Sequence, residues 1–151
     1  MQTRFDYAEA APDAYQAAVA LDRYIVKDSG LAPRILHLIK LRASIINGCA
    51  FCVDMHRKEA LHTGLSEQWI NMVSVWHESV IFTEEERAVL AWTDALTLVA
   101  DTCAPDADFE AICKHFSHAD VTKISLAIAG INVWNRLAVG FRKAHPIDAA
   151  S

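Results

Sequence analysis

The stretch Asn47-Gly48-Cys49-Ala50-Phe51-Cys52-Val53-Asp54-Met55-His56 decides how this chain is read. Asn47-Gly48 is a helix stop. A new helix follows at once, because Lys58, Glu59, Ala60 and Leu61 are good helix formers and Gly64 offers a C-terminal cap. The stretch is therefore the corner of a tight helical hairpin. On the second helix Cys49, Cys52 and His56 stand at i, i+3 and i+7 and share one face. Two thiols at that spacing are within reach of a disulfide. The first turn of a helix, with its free amide N–H groups, favours a thiolate over a thiol. His56 lies one turn beyond Cys52, where an imidazole serves as base or cationic partner. The spacing supplies a candidate nucleophile, a candidate resolving thiol and a proton acceptor.

Working outward, helical periodicity recurs and no run reads as a strand. Pro12 to Val26 is Ala-rich and predicts a first helix ending near Asp28-Ser29-Gly30. Pro33 starts a second, with Ile35, Leu38, Ile39, Ile45 and Ile46 apolar. Ser66 caps a short helix carrying Trp69, Ile70 and Val73. Thr83-Glu84-Glu85-Glu86 reads as a capping box opening a helix to about Val99. Pro105-Asp106 opens another, and Ser117 caps an apolar C-terminal region that Gly130 is expected to bend or divide. The expectation is an all-α single domain spanning residues 1–151, without linkers or repeats.

Composition narrows the function. The chain has 151 residues, 53% of them hydrophobic, which is enough for a real core with apolar surface left for self-association. Net charge is −5, from 14 basic and 19 acidic residues with no basic cluster, so nucleic acid is not an expected partner. The N-terminus carries no signal-peptide core. The longest apolar region, Ile124 to Phe141, is interrupted by Ser125, Asn132, Asn135 and Arg136, which suits a buried helix better than a membrane span. A reducing cytoplasm is the expected location. There a CxxC pair is catalytic or metal-binding before it is a structural staple.

Other readings compete at particular residues. Cys49, Cys52 and His56 have spacing suited to zinc, with His62 or His37 as fourth ligand, but no second CxxC is present. Cys103 and Cys113 read as small hydrophobes, and His62, His77, His115, His118 and His145 as solvated. Glu59 either orients His56 or pairs with Lys58 or Arg57. Trp92 and Trp134 fall in strongly periodic segments and are expected in the core. Asn132, Asn135 and Arg136 need hydrogen-bond partners, across a subunit interface first and within the monomer second.

With the motif on a helix after a helical turn, the chain resembles the carboxymuconolactone decarboxylase superfamily, and within it the alkylhydroperoxidase D-like branch. The residues that carry the resemblance are Leu41-Arg42-Ala43-Ser44, Asn47 through His56, Lys58-Glu59-Ala60, Glu86-Arg87-Ala88, Trp92 through Thr97 and Asn132-Val133-Trp134-Asn135-Arg136. It runs from about Pro33 to about His145. The resemblance implies an AhpD-like helical bundle assembled as a homotrimer or homohexamer. It also implies a peroxidase that reduces hydroperoxides through a dithiol–disulfide cycle. Cys52 then becomes the peroxide-attacking thiol, Cys49 the resolving one and His56 the proton-relay histidine. Decarboxylase members lack the cysteine pair, which points away from lactone decarboxylation.

Two positions depart from the family pattern. His37 stands where a relay glutamate usually precedes the first cysteine by twelve residues, and Phe51 where a histidine is usual between the cysteines. A histidine moves protons but supplies no negative charge to hold His56. By the rise of a helix, His37 lies about 15 Å before the hairpin turn and His56 roughly 10 Å beyond it, so the two meet through one water if the helices pack face to face. The expected function is a peroxidase or disulfide oxidoreductase acting on small organic hydroperoxides. It uses Cys52, Cys49, His56 and His37, no cofactor, and an external dithiol reductant, since no nicotinamide or flavin fingerprint is present. The alternative is a redox-sensing or partner-binding oligomer that uses the same disulfide without turnover.

Overall fold

Pro33 opens the helix around which the others pack. In the computed structural model, which describes residues 2–148, the elements are α1 (Tyr7–Ala10), α2 (Pro12–Arg23), α3 (Pro33–Ile46), α4 (Ala50–His62), α5 (Glu67–Met72), α6 (Glu84–Thr97), α7 (Val99–Thr102), α8 (Asp106–Cys113) and α9 (His118–Gly140). A π-helical segment, Tyr24–Asp28, continues α2, and a 3₁₀ turn, Val73–Val75, follows α5. No strand occurs among the described residues. No helix among them is long and apolar enough to cross a membrane.

Central α3 packs against α4, α6 and α9 at once. It presents Leu38, Ile39 and Leu41 to a core completed by Val89 and Leu90 of α6 and Ile124 and Ile128 of α9, all buried. Burial of such side chains stabilises by roughly 1.5–3 kcal/mol each. Polar anchors fix α3 against α6. Arg42 grips Asp94 through two hydrogen bonds, 2.6 and 2.8 Å, and Trp76 Nε1 donates to the same carboxylate at 3.1 Å. Arg34 donates to Glu86 at 2.5 Å. The bidentate fork adds direction as well as attraction.

Local chemistry explains the helix ends. Thr83 and Glu86 form the reciprocal capping box of α6, and Ser66 and Ser117 cap α5 and α9 through their side chains. Asn47-Gly48 ends α3 in a Schellman motif: Gly48, at φ +63°, donates to Ile45, and Cys49 N–H donates to the Ser44 carbonyl at 3.0 Å. Gly64 closes α4 in the same way.

Three expectations need correction. Gly130 neither bends nor divides the C-terminal helix; α9 runs unbroken from His118 to Gly140. Its lack of a side chain admits Ile25, since a Cβ there would stand 2.7 Å from Ile25 Cδ1. Asn132, Asn135 and Arg136, expected to find partners across a subunit interface first, already have partners inside the chain. Asn47 Nδ2 donates to Asn132 Oδ1 (3.0 Å) and Asn135 Oδ1 (2.9 Å), Asn135 Nδ2 donates to Ser44 Oγ (3.0 Å), and Arg136 Nη1 donates to Asn132 Oδ1 (2.7 Å). The α6 helix stops at Thr97, with Leu98 leaving helical geometry before the short α7.

Candidate active site

The Schellman motif that ends α3 delivers Cys49 directly to the start of α4. Cys49 is the N-cap of α4 rather than part of its first turn, because its backbone is still extended (φ −86°, ψ 91°). Its sulfur accepts the Cys52 N–H at 3.3 Å, filling the capping role that an oxygen usually takes. Cys52, at N3, sits over the free N–H groups of the helix start. The two sulfurs are at disulfide distance, with Cα atoms 5.3 Å apart. Both are 1% exposed and pack against Ala138 of α9 and Phe51. The asparagine network ties α9 to the Asn47 turn and holds this corner in place.

One turn on, His56 is 3% exposed and its Nδ1 lies 2.8 Å from Glu59 Oε2. The hydrogen bond from His56 holds the Glu59 carboxyl below its ordinary 4.5, against the opposing effect of burial, and nearby Lys40 and His37 act in the same direction. An ionised carboxylate only accepts, so Nδ1 carries the proton. In the neutral ring Nε2 is then an acceptor, and it has no hydrogen-bond partner among the described residues. Glu59 thus does orient His56, while Lys58 turns to Asp54 and Asp148 and Arg57 to Glu67.

His37 is buried on the facing helix. Its Nε2 is 3.2 Å from Thr63 Oγ1, whose own proton goes to the Ala60 carbonyl at 2.8 Å, so Nε2 donates and Nδ1 is the acceptor, unpartnered among the described residues. Burial pushes His37 below its ordinary 6.5; Glu59 opposes that shift, and His56 and Lys40 add to it. Burial thus favours the neutral form of His37, and the ring lies close enough to His56 and Glu59 to feel their charges. A carboxylate does reach His56, from α4 itself and three residues on.

A cavity of about 290 Å³ opens against Cys52, His56 and Glu59. Tyr7, Tyr15, Phe51, Met55 and Trp134 make its walls largely aromatic, with Lys40 and Lys143 as cations. Lys40 pairs with Asp22 at 3.4 Å, and Lys143 Nζ lies over the rings of Phe51 (4.6 Å) and Tyr7 (5.4 Å). Trp134 corrects the core expectation in part: it packs against the core and also faces this cavity, edge-on to Tyr15. Lys40 was legible as sharing the His37 face at i+3; Tyr7 and Lys143 carry no periodic signal, since they arrive from the chain's two ends. His62 is exposed and His37 is hydrogen-bonded to Thr63, and no group of three or more His, Cys, Asp or Glu among the described residues is arranged to hold a metal ion.

Known proteins resemble this chain in sequence and in fold. Residues 12–95 match the model of the carboxymuconolactone decarboxylase family. The chain is 33% identical over 139 residues to the uncharacterised Bacillus subtilis protein YdfG, covering 92% of this chain and 94% of that one. It is 29% identical over 80 residues to the alkyl hydroperoxide reductase AhpD of Rhodospirillum centenum, covering 50% of this chain and 42% of that protein. A crystal structure from Agrobacterium tumefaciens, a protein of unknown function proposed to be an antioxidant defence protein of the AhpD type, superposes with a TM-score of 0.95 at 59% identity, over 97% of this chain and 100% of that one. The chain belongs to the carboxymuconolactone decarboxylase family and has the AhpD-like fold.

Proposed function

We propose that this chain is a cofactor-independent thiol peroxidase that reduces small organic hydroperoxides through a Cys49–Cys52 dithiol–disulfide cycle. The observation that carries the reading is the meeting, in one cavity wall, of Cys52 with a histidine whose Nδ1 is held by a carboxylate and whose Nε2 is unpartnered. His56 Nε2 draws the proton from the Cys52 thiol. The thiolate attacks the distal peroxide oxygen, the O–O bond breaks, and the leaving alkoxide takes the proton from His56 as an alcohol. Cys52 is left as a sulfenic acid. Cys49 condenses with it, forming the disulfide and releasing water. Glu59 holds the His56 tautomer and offsets its charge, and His37 Nδ1 is a second proton station. An external dithiol then restores the thiols. The aromatic walls support an organic rather than an inorganic peroxide. Exposed Val99, Leu126, Val133 and Val139 support self-association into a homotrimer or homohexamer.

The test is single-turnover oxidation of the reduced protein by an organic hydroperoxide, following peroxide loss and locating the disulfide by peptide mass spectrometry. Stoichiometric loss with a Cys49–Cys52 bond, abolished in Cys52→Ala, is the expected result. A rate no greater than that of a free thiol refutes the peroxidase reading.

A further inference from the structure

Two cavities meet at the cysteine pair, each lined by one of the two residues. Cys52 lines the first and Cys49 does not; Cys49 lines the second, of about 510 Å³, and Cys52 does not. Phe51, Ala138 and Lys143 belong to both walls and stand between them. A thiolate displaces one sulfur of a disulfide from the side opposite the departing sulfur. An attacker on Cys49 therefore approaches from the side away from Cys52, and of the two cavities only the second is lined by Cys49 without Cys52.

That second cavity has a distinctive charge. The chain is net acidic at −5, yet the cavity carries Arg142, Lys143 and His145 and no carboxylate among its described lining residues. Neither Arg142 nor Lys143 has a carboxylate partner among the described residues, and the carboxylate of neighbouring Asp148 is held by Lys58 at 2.6 Å. The end of α9 places the cations there. Arg142 N–H donates to the Val139 carbonyl and Lys143 N–H to that of Ala138, a Schellman motif. Its left-handed position, where glycine is usual, is occupied by Arg142 at φ +56°. The arrangement costs backbone strain and sets Arg142 in the wall of the cavity that Cys49 lines.

We infer that the reductant enters through this Cys49-side cavity and that the cavity selects a thiol bearing an anionic group. The inference rests on reading Cys49–Cys52 as redox-active but not on peroxide as the oxidant. The incoming thiolate attacks Cys49 Sγ, a mixed disulfide forms, and the electron pair of the broken S–S bond leaves on Cys52, at the helix start that favours a thiolate. A second thiol attacks the small-molecule sulfur of the mixed disulfide and releases Cys49. Two thiols are oxidised to one disulfide, and the two protons they lose end on Cys49 and Cys52.

The experiment oxidises the protein with diamide and measures reduction by mercaptohexanoate and by its amide, the same thiol with and without a remote carboxylate. The anionic thiol is expected to react at least about fivefold faster at low salt, the advantage fading as salt screens it. The first adduct, trapped by alkylation, is expected on Cys49. Arg142→Gly relieves the positive φ, so it should match or exceed the parent in melting temperature while losing most of the selectivity; Arg142→Glu should invert it. Lys114→Glu, the same charge change at the exposed residue just past α8, should leave it intact. Equal rates for the two thiols, an adduct on Cys52, or full selectivity in Arg142→Glu overturns the inference. A disulfide that neither thiol reduces refutes the redox reading instead.

Discussion

Replacing Asn135 with Leu tests the link between the asparagine network and the cysteine corner. Asn135 is 1% exposed and bridges Asn47 Nδ2 and Ser44 Oγ, joining α9 to the last turn of α3. Leucine keeps the branched shape and the number of side-chain heavy atoms, so lost hydrogen bonding is the main cost, with some overpacking from its larger methyl groups. Ser44 is 0% exposed and would keep a buried hydroxyl with no other side-chain hydrogen bond among the described residues, costing about 1–3 kcal/mol. Asn47 retains Asn132 and is only half-buried, so losing its second acceptor adds about 1 kcal/mol. The total is about 3 kcal/mol, a melting-temperature drop of roughly 6–12 °C for a chain of this size. Scanning calorimetry at one fixed protein concentration measures it. Ser44→Ala combined with Asn135→Leu should cost about 1–2 kcal/mol less than the two changes summed, because each alone strands the other's polar group. A loss under about 2 °C, or strict additivity of the pair, refutes the idea that this network anchors the Cys49 turn.

Three further outcomes follow from the geometry. Glu59→Gln keeps an acceptor for His56 but removes the charge; since the carboxylate is 49% exposed and partly screened, the Cys52 oxidation rate should fall only about fivefold, a loss of roughly 1 kcal/mol, and an unchanged rate refutes the dyad. His37 has a depressed folded pKa, so below 6.5 the unfolded chain binds a proton that the folded chain does not. Stability should therefore fall as pH drops from 6.5 toward the folded value and then level off. His37→Gln should lose that component, seen in urea midpoints at about pH 7.5 and about pH 5.5, and a parent–variant difference independent of pH argues against it. Gly130→Val should destabilise by about 2 kcal/mol through its clash with Ile25, whereas Gly140→Ala, with open space around it, should stabilise by about 0.5 kcal/mol; thermal melts in which both behave alike would contradict the packing account.

Legibility in the sequence followed the range of the interaction. Thr83–Glu86, Ser66, Ser117, Pro33 and Asn47-Gly48 were read as helix boundaries, and each is one, because caps and turns close within a few residues. The Cys49, Cys52 and His56 face was readable for the same reason, as was the offer of Glu59 to His56. Gly130 misled because glycine is both a helix breaker and a contact surface; only the position of Ile25 distinguishes the two.

The sequence by itself determined an all-helical chain, its hairpin corner and the shared face of Cys49, Cys52 and His56, since periodicity and capping are properties of local backbone geometry; His37 entered only through the family resemblance. Tertiary structure alone decided that Asn132 and Asn135 turn inward to Asn47 and Ser44, and that His37 faces Thr63 beside Glu59. It also brought Tyr7 and Lys143, from opposite ends of the chain, together at the cavity on Cys52. Those contacts join residues dozens of positions apart, and they exist only once α3, α4 and α9 have buried their apolar faces against one another.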